Sequence, residues 1–139
     1  MIARYSRNEI VKIWEEKNKY QIWLTIEIAA AQAMEKLKLI PRGVASKVKK
    51  KAKINVDRIH KIENKVHHDV IAFLTSVTEK VGSEGKYLHQ GMTSSDVLDT
   101  CFNIQLAQSS KIINKEIQNK LLLNILLNKE NKIEVIFQI

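Results

Sequence analysis

The chain has 139 residues, 45% of them hydrophobic, a formal charge of +8 and a pI near 9.6, which suffices for one domain with its own core and excludes a disordered segment. Four glycines and one proline are too few for an all-β protein rich in turns, whereas long stretches of Lys, Glu, Ile, Leu and Ala favour an all-α fold. A single cysteine, Cys101, excludes an internal disulfide, fits a reducing compartment and, on an apolar helical face, reads as a small buried hydrophobe.

In chain order, the N-terminus MIARYSRNEI lacks the apolar centre of a signal peptide, and no later run is long enough to span a bilayer, so a cytoplasmic protein without membrane association is expected. Ser6-Arg7-Asn8-Glu9 has the form of a capping box, which predicts a short helix with Ile10, Ile13 and Trp14 on its inner face. Arg4 and Tyr5 precede it in an extended arm. Arginine offers a planar fork for phosphate or carboxylate and tyrosine a ring and a hydroxyl, although such a pair is ordinarily plain surface.

Over 18–39, Ile22, Trp23, Ile26, Ala29, Ala30, Ala33 and Leu37 recur at three and four, predicting a helix of about six turns ended by Pro41 and Gly43. Its alanine-rich middle would let a neighbouring helix approach closely. A shorter basic helix over 42–54 follows and contains the densest cationic run, KVKKKAK at 47–53. That run has no aromatic interleaving, no helix-turn-helix glycine and no zinc spacing, so it reads as a solvated basic face and gives little support for nucleic acid as partner.

Asn55 with Asp57 predicts the next cap. From 55 to 82 one helical period runs through Ile59, Ile62, Val66, Val70, Phe73, Leu74, Val77 and Val81. His67-His68 interrupts it, and we expect the helix to break there, with Asp69 in the first turn of a second helix. Adjacent histidines point apart on a helix, which disfavours a shared metal. Two further readings stay open: an inert hydrogen-bonded histidine, or His68 oriented by a carboxylate to meet a substrate group.

Residues 88–100, LHQGMTSSDVLDT, run from a glycine turn into a helix. Thr93, Ser94 or Ser95 is expected to cap that helix through its hydroxyl. A helix N-terminus with neighbouring hydroxyls can capture a carboxylate or phosphate, and His89 adds a donor. Asp96 and Asp99, in the first turn, favour the same dipole and compete with an external anion. The plainer alternative is a well-capped helix and nothing more. Beyond it Val97, Cys101, Ile104, Ile112, Ile113, Ile117, Leu121 and Ile125 draw an apolar seam along about thirty residues, suited to a multi-helix bundle. Such a helix needs partners to cover it.

Three co-ordered motifs, Arg4-Tyr5-Ser6-Arg7, His67-His68-Asp69-Val70 and HQGMTSSDVLDT, together resemble the adenylosuccinate lyase branch of the fumarase/aspartase superfamily over about residues 1–120. The resemblance implies an N-terminal helical domain at 1–93 and, at 94–139, the start of a central helical-bundle domain. It implies β-elimination of fumarate from adenylosuccinate to give AMP, and from SAICAR to give AICAR, without cofactor or metal. It also implies a small nucleotide substrate and a homotetramer whose sites draw on several subunits. By the same resemblance Arg4 and Tyr5 hold the nucleotide part, Thr93 and Ser94 grip the succinyl carboxylates, and His67, His68, Asp69 and His89 belong to the substrate-binding wall. Val66-His67 departs from the Thr-Arg that often precedes this segment, which leaves His67 without a firm role.

The family's general acid lies in a Gly-Arg-Thr-His-like segment and its base in a mobile Ser-Ser loop, both downstream. Neither occurs here, so no catalytic residue is assigned and the chain alone is expected to be inactive. Beyond about Asn124 the likeness stops, and KIEVIFQI at 132–139 reads as a β-prone apolar run. We therefore expect a truncated frame with an atypical tail. The alternative from a different class is a basic helical interaction module that binds a polyanion or a partner helix.

Overall fold

A computed structural model of the chain describes residues 5–137, with side chains through 128. Among the described residues six α-helices appear in order: α1 Asn8–Trp14, α2 Glu16–Lys36, α3 Val44–Lys51, α4 Val56–Val66, α5 Asp69–Val81 and α6 Ser94–Phe137, with a 3-10 turn at Gly82–Tyr87 before the last. No strand occurs among the described residues, in keeping with the all-α expectation. None of their helices is long and apolar enough to cross a membrane.

The fold is built on α2. Its buried side chains are Tyr20, Ile22, Trp23, Leu24, Glu27 and Ala31, and Tyr20, Trp23, Leu24, Glu27 and Ala31 recur at three and four along one stripe. Tyr20, Trp23 and Phe73 of α5 pack as a cluster of stacked and edge-on rings, with centroids 5.2 to 6.0 Å apart; each such pair is worth about 0.5–1.5 kcal/mol beyond its area burial. Val48, Ile59, Val70, Val77, Val81, Val97 and Cys101 complete the core from α3, α4, α5 and α6. The Cys101 thiol is buried, its sulfur 3.8 Å from the Lys19 carbonyl. Burial pushes its pKa up, while the Trp23 indole N–H and the Lys19 charge pull it down more weakly.

Several sequence expectations shift. The S-x-x-E box is not the start of α1: Arg7 is the N-cap, without a side-chain cap bond, and pairs with Glu9. The stripe of α2 holds at Ile22, Trp23 and Ile26 and departs from the predicted one further on, because Ala29, Ala33 and Leu37 are exposed and Ala31 is buried. The charged Glu27 belongs to the buried face, so an apolar count missed the true phase. That helix also ends before Pro41, at Lys36, with Leu37 as C-cap followed by Lys38 with φ 61°.

The break at His67-His68 is observed, as is the Asn55 cap, whose side chain accepts from the Arg58 amide. The 3-10 turn folds over the end of α5 because Gly85 has no Cβ; one built there would come within 2.6 Å of Thr78 Cγ2.

Two compact units divide the chain, Met1–Gln105 and Leu106–Ile139. In α6, Val97 and Cys101 are buried, whereas Ile113, Ile117, Leu121 and Ile125 are exposed. The helix runs 44 residues, to Phe137, through most of the stretch expected to be β-prone. No glycine or proline follows Gly91, so nothing in the backbone chemistry stops it.

Candidate functional site

The loop between the 3-10 turn and α6 is pinned from both sides. Leu88 is buried and Met92 packs against the core, which leaves His89, Gln90 and Gly91 between two apolar anchors. His89 and Gly91 both adopt left-handed backbone, φ 59° and 71°. For Gly91 that conformation is free of strain; for His89 something must hold it.

Glu27 does so. This carboxylate, 1% exposed on α2, accepts the His89 backbone N–H at 2.8 Å through Oε2 and meets His89 Nδ1 at 2.7 Å through Oε1. The two residues are 62 positions apart. An ionised carboxylate only accepts, so Nδ1 carries a proton, and in the neutral ring Nε2 is left as an acceptor for a ligand, where the sequence suggested a donor. The imidazole is one-fifth exposed. No apolar count could find Glu27, although a lone carboxylate on the inward stripe of an amphipathic helix is itself a signal that a partner waits there.

The hydroxyl segment starts α6 differently from the expectation. Ser94 is the first helical residue, and among the described residues no hydroxyl of Thr93, Ser94 or Ser95 accepts a first-turn amide. Instead Asp96 reaches back and takes the Thr93 N–H at 2.8 Å, the carboxylate half of a capping box. The anticipated competition for the helix end is therefore real at one amide. Thr93 and Ser95 are exposed and Ser94 half-buried.

At the second junction His67 closes α4 with φ 53° and His68 opens α5. His68 Nδ1 accepts the Ile71 N–H at 3.4 Å, so its proton sits on Nε2. Asp69 Oδ1 lies 3.6 Å from that same Nδ1 and takes its own neighbour's amide, Val70 N–H, at 2.7 Å. The junction is acidic: Tyr20 is pushed up to about 12, mainly by burial and further by the charges of Glu16, Glu63 and Asp69. Glu16 also meets His60 Nε2 at 3.0 Å.

Helix α6 runs back along α2, since Cys101 lies against the Lys19 carbonyl and Gln105 Nε2 donates to the Ile13 carbonyl at 2.7 Å. Ser94 stands seven residues before Cys101, about 10 Å along the helix, and Glu27 stands eight after Lys19, about 12 Å. His89 and the start of α6 therefore share one level of α2. His68-Asp69 lies nearer Tyr20, two turns away along that helix. Tyr5 is 75% exposed, and Arg4 lies outside the described residues.

A groove of about 750 Å³ is lined by Lys17, Leu24, Ile28, Lys49, Lys53 and Ile54 among others, and by none of the predicted site residues. Among the described residues no three of His, Cys, Asp and Glu gather closely enough to hold a metal ion.

The family model described as "Lyase" matches residues 3–138, which extends past Asn124, where the motif resemblance stops. An adenylosuccinate lyase of Streptococcus mutans serotype c is 44% identical over 119 residues, 86% of this chain and 28% of that protein. The chain thus spans under a third of the length of that relative. A fumarate lyase from Mesorhizobium sp. BNC1 superposes with TM-score 0.73 at 21% identity, covering 82% of this chain and 29% of its own. The β-carboxy-cis,cis-muconate cycloisomerase of Acinetobacter calcoaceticus sp. ADP1 gives TM-score 0.72 at 25% identity over 81% of this chain and 28% of its own. The first of these two structures speaks for the fold alone; with the family match and the curated relative, it leaves one assignment. The chain belongs to the lyase family of the fumarase/aspartase superfamily.

Proposed function

We propose that the chain forms part of the site of an adenylosuccinate lyase, a carbon–nitrogen lyase of purine biosynthesis acting in the cytoplasm on adenylosuccinate and SAICAR. The observation that carries this reading is the 44% identity to an adenylosuccinate lyase across a segment that contains the His89–Ser94 loop. In the reaction a base removes the succinyl proton beside one carboxylate, giving an aci-carboxylate. The C–N bond then breaks, fumarate departs, and an acid protonates the nitrogen left on the purine or the carboxamide.

In this reading Thr93 and Ser94 at the start of α6 bind the succinyl carboxylates, where hydroxyls and helix amides match the charge that develops. His68, with Asp69 beside it, presents its Nε2 proton, His89 contacts the substrate from the same level as Ser94, and Arg4 and Tyr5 hold the nucleotide. His67 contributes to the same wall. Acid and base come from segments outside these 139 residues, and residues 94–139 begin a helical-bundle domain through which a homotetramer forms. The exposed Ile113, Ile117, Leu121 and Ile125 fit a helix awaiting such neighbours.

Fumarate release, followed by ultraviolet absorbance, tests the proposal. The polypeptide alone should release none. Joined to the remainder of a homologous full-length enzyme it should be active, and Ser94→Ala should lower kcat by about 10²-fold or more. An inactive fusion that binds nucleic acid tightly and salt-sensitively, and no nucleotide, would instead support the basic interaction module.

A further inference from the structure

The resemblance assigns His89 to the substrate wall but says nothing of what holds it, and Glu27 belongs to none of the motifs that carry the likeness. Glu27 is the one carboxylate among the buried polar residues of the described chain. A buried carboxylate is costly unless both oxygens are engaged. Here they are: Oε2 takes the backbone N–H of His89 and Oε1 takes Nδ1 of the same residue. Two bonds to one residue fix more than its position. The backbone bond supports the left-handed turn at φ 59°, and the ring bond sets the rotation of the imidazole and the nitrogen that bears the proton.

We propose that Glu27 is a positioning residue, holding His89 in the Nδ1–H tautomer so that Nε2 faces the ligand as a hydrogen-bond acceptor for a hydroxyl or N–H group. His68 has the opposite arrangement. Its Nδ1 is spent on the Ile71 amide, which leaves Nε2–H outward. The two imidazoles thus offer a substrate complementary atoms, an acceptor from His89 and a donor from His68, each set by what binds the inner nitrogen. That a substrate meets His89 rests on the function proposed above; the tautomer does not.

The experiment uses the 139-residue chain labelled with ¹⁵N-histidine, with the imidazole nitrogens read at a pH where the rings are neutral. His89 should show a protonated Nδ1 and an unprotonated Nε2. In Glu27→Gln the amide oxygen can still accept the backbone N–H, but its NH2 group now donates toward Nδ1, so His89 should pass to the Nε2–H form while His68 does not change. A wild-type His89 with unprotonated Nδ1 overturns the proposal without any variant, as does a folded Glu27→Gln that keeps Nδ1–H. In the active fusion Glu27→Gln should cost about 10- to 100-fold in kcat/KM, with Glu27→Asp restoring part of it. Full activity of Glu27→Gln beside a dead Ser94→Ala would overturn the positioning role and leave the lyase reading standing; activity indifferent to Ser94→Ala would strike at the lyase reading, and the ¹⁵N tautomer would still decide for or against Glu27.

Discussion

The junction at 66–69 and the loop at 88–94 are both short connections between helices, both carry a histidine that the family motifs single out, and they hold it by different means. His68 is held locally: its ring accepts an amide three residues on, at 3.4 Å, in a half-exposed corner. His89 is held from a distance by a buried carboxylate on another helix, through two bonds of 2.7 and 2.8 Å. A local cap costs little chain entropy to form and is worth correspondingly little, whereas a buried pair closed over many residues forms only with the fold itself. The first junction should therefore be replaceable by any good cap, and the second should not.

The largest effect should follow Glu27→Ala, which leaves the His89 amide and ring unpaired against a cavity in α2. We expect a loss of about 3–5 kcal/mol, seen as a lower urea midpoint by tryptophan fluorescence. A loss below about 1 kcal/mol would mean that water replaces the carboxylate easily and that the two junctions do not differ as described. His68→Ala should cost only about 1 kcal/mol through the lost cap, and His68→Asn, which restores an N-cap acceptor, should recover most of it. If His68→Asn is as unstable as His68→Ala, the ring is packing and not capping.

His67 sharpens the contrast from the other side. Its φ of 53° is a conformation that a side chain adopts at a cost and glycine adopts freely. His67→Gly should stabilise the chain by roughly 0.5–1 kcal/mol. If the fusion enzyme at the same time loses activity, the strain at 67 is kept for function; equal activity would mark His67 as a plain helix terminus.

The legible and illegible parts of the chain follow the same division. Periodicity placed α4, α5 and the break between them, because Asn55, His68 and Asp69 act on amides within three residues and leave their mark in local sequence. It placed Ile22 and Trp23 inward and lost the face of α2 beyond them, because the inward Glu27 breaks the apolar count and its partner lies 62 residues on. The hydroxyl run at 93–95 suggests the cap of α6, yet the side chain that bonds an amide there is Asp96, which reaches back to the Thr93 N–H; both residue types serve helix starts, and only geometry chooses. The candidate site was legible as motifs and not as an arrangement, since the level that His89 shares with Ser94 depends on α6 running back along α2.

A third contact separates distance along the chain from burial. Lys47 and Glu84 are 37 residues apart and meet at 3.0 Å, with the Lys47 side chain 59% and the Glu84 side chain 14% exposed, and Lys51 stands 3.8 Å from the same carboxylate. The Lys47 ammonium foremost, then the glutamate's own amide and Ser83, hold the Glu84 carboxyl down to about 2 from an ordinary 4.5. With the folded value depressed, the contribution is fully present above the unfolded value near 4.5 and is lost as pH falls through about 2. Carboxyl ¹³C titration of the folded chain should give a Glu84 midpoint below 4.5, moving up in Lys47→Ala. The exposed lysine leaves the pair open to solvent and salt screening, so the urea midpoint at neutral pH should fall far less in Lys47→Ala than in Glu27→Ala. If Lys47→Ala instead rivals Glu27→Ala, separation along the chain, and not the dry surroundings of Glu27, would be what sets the two histidine junctions apart.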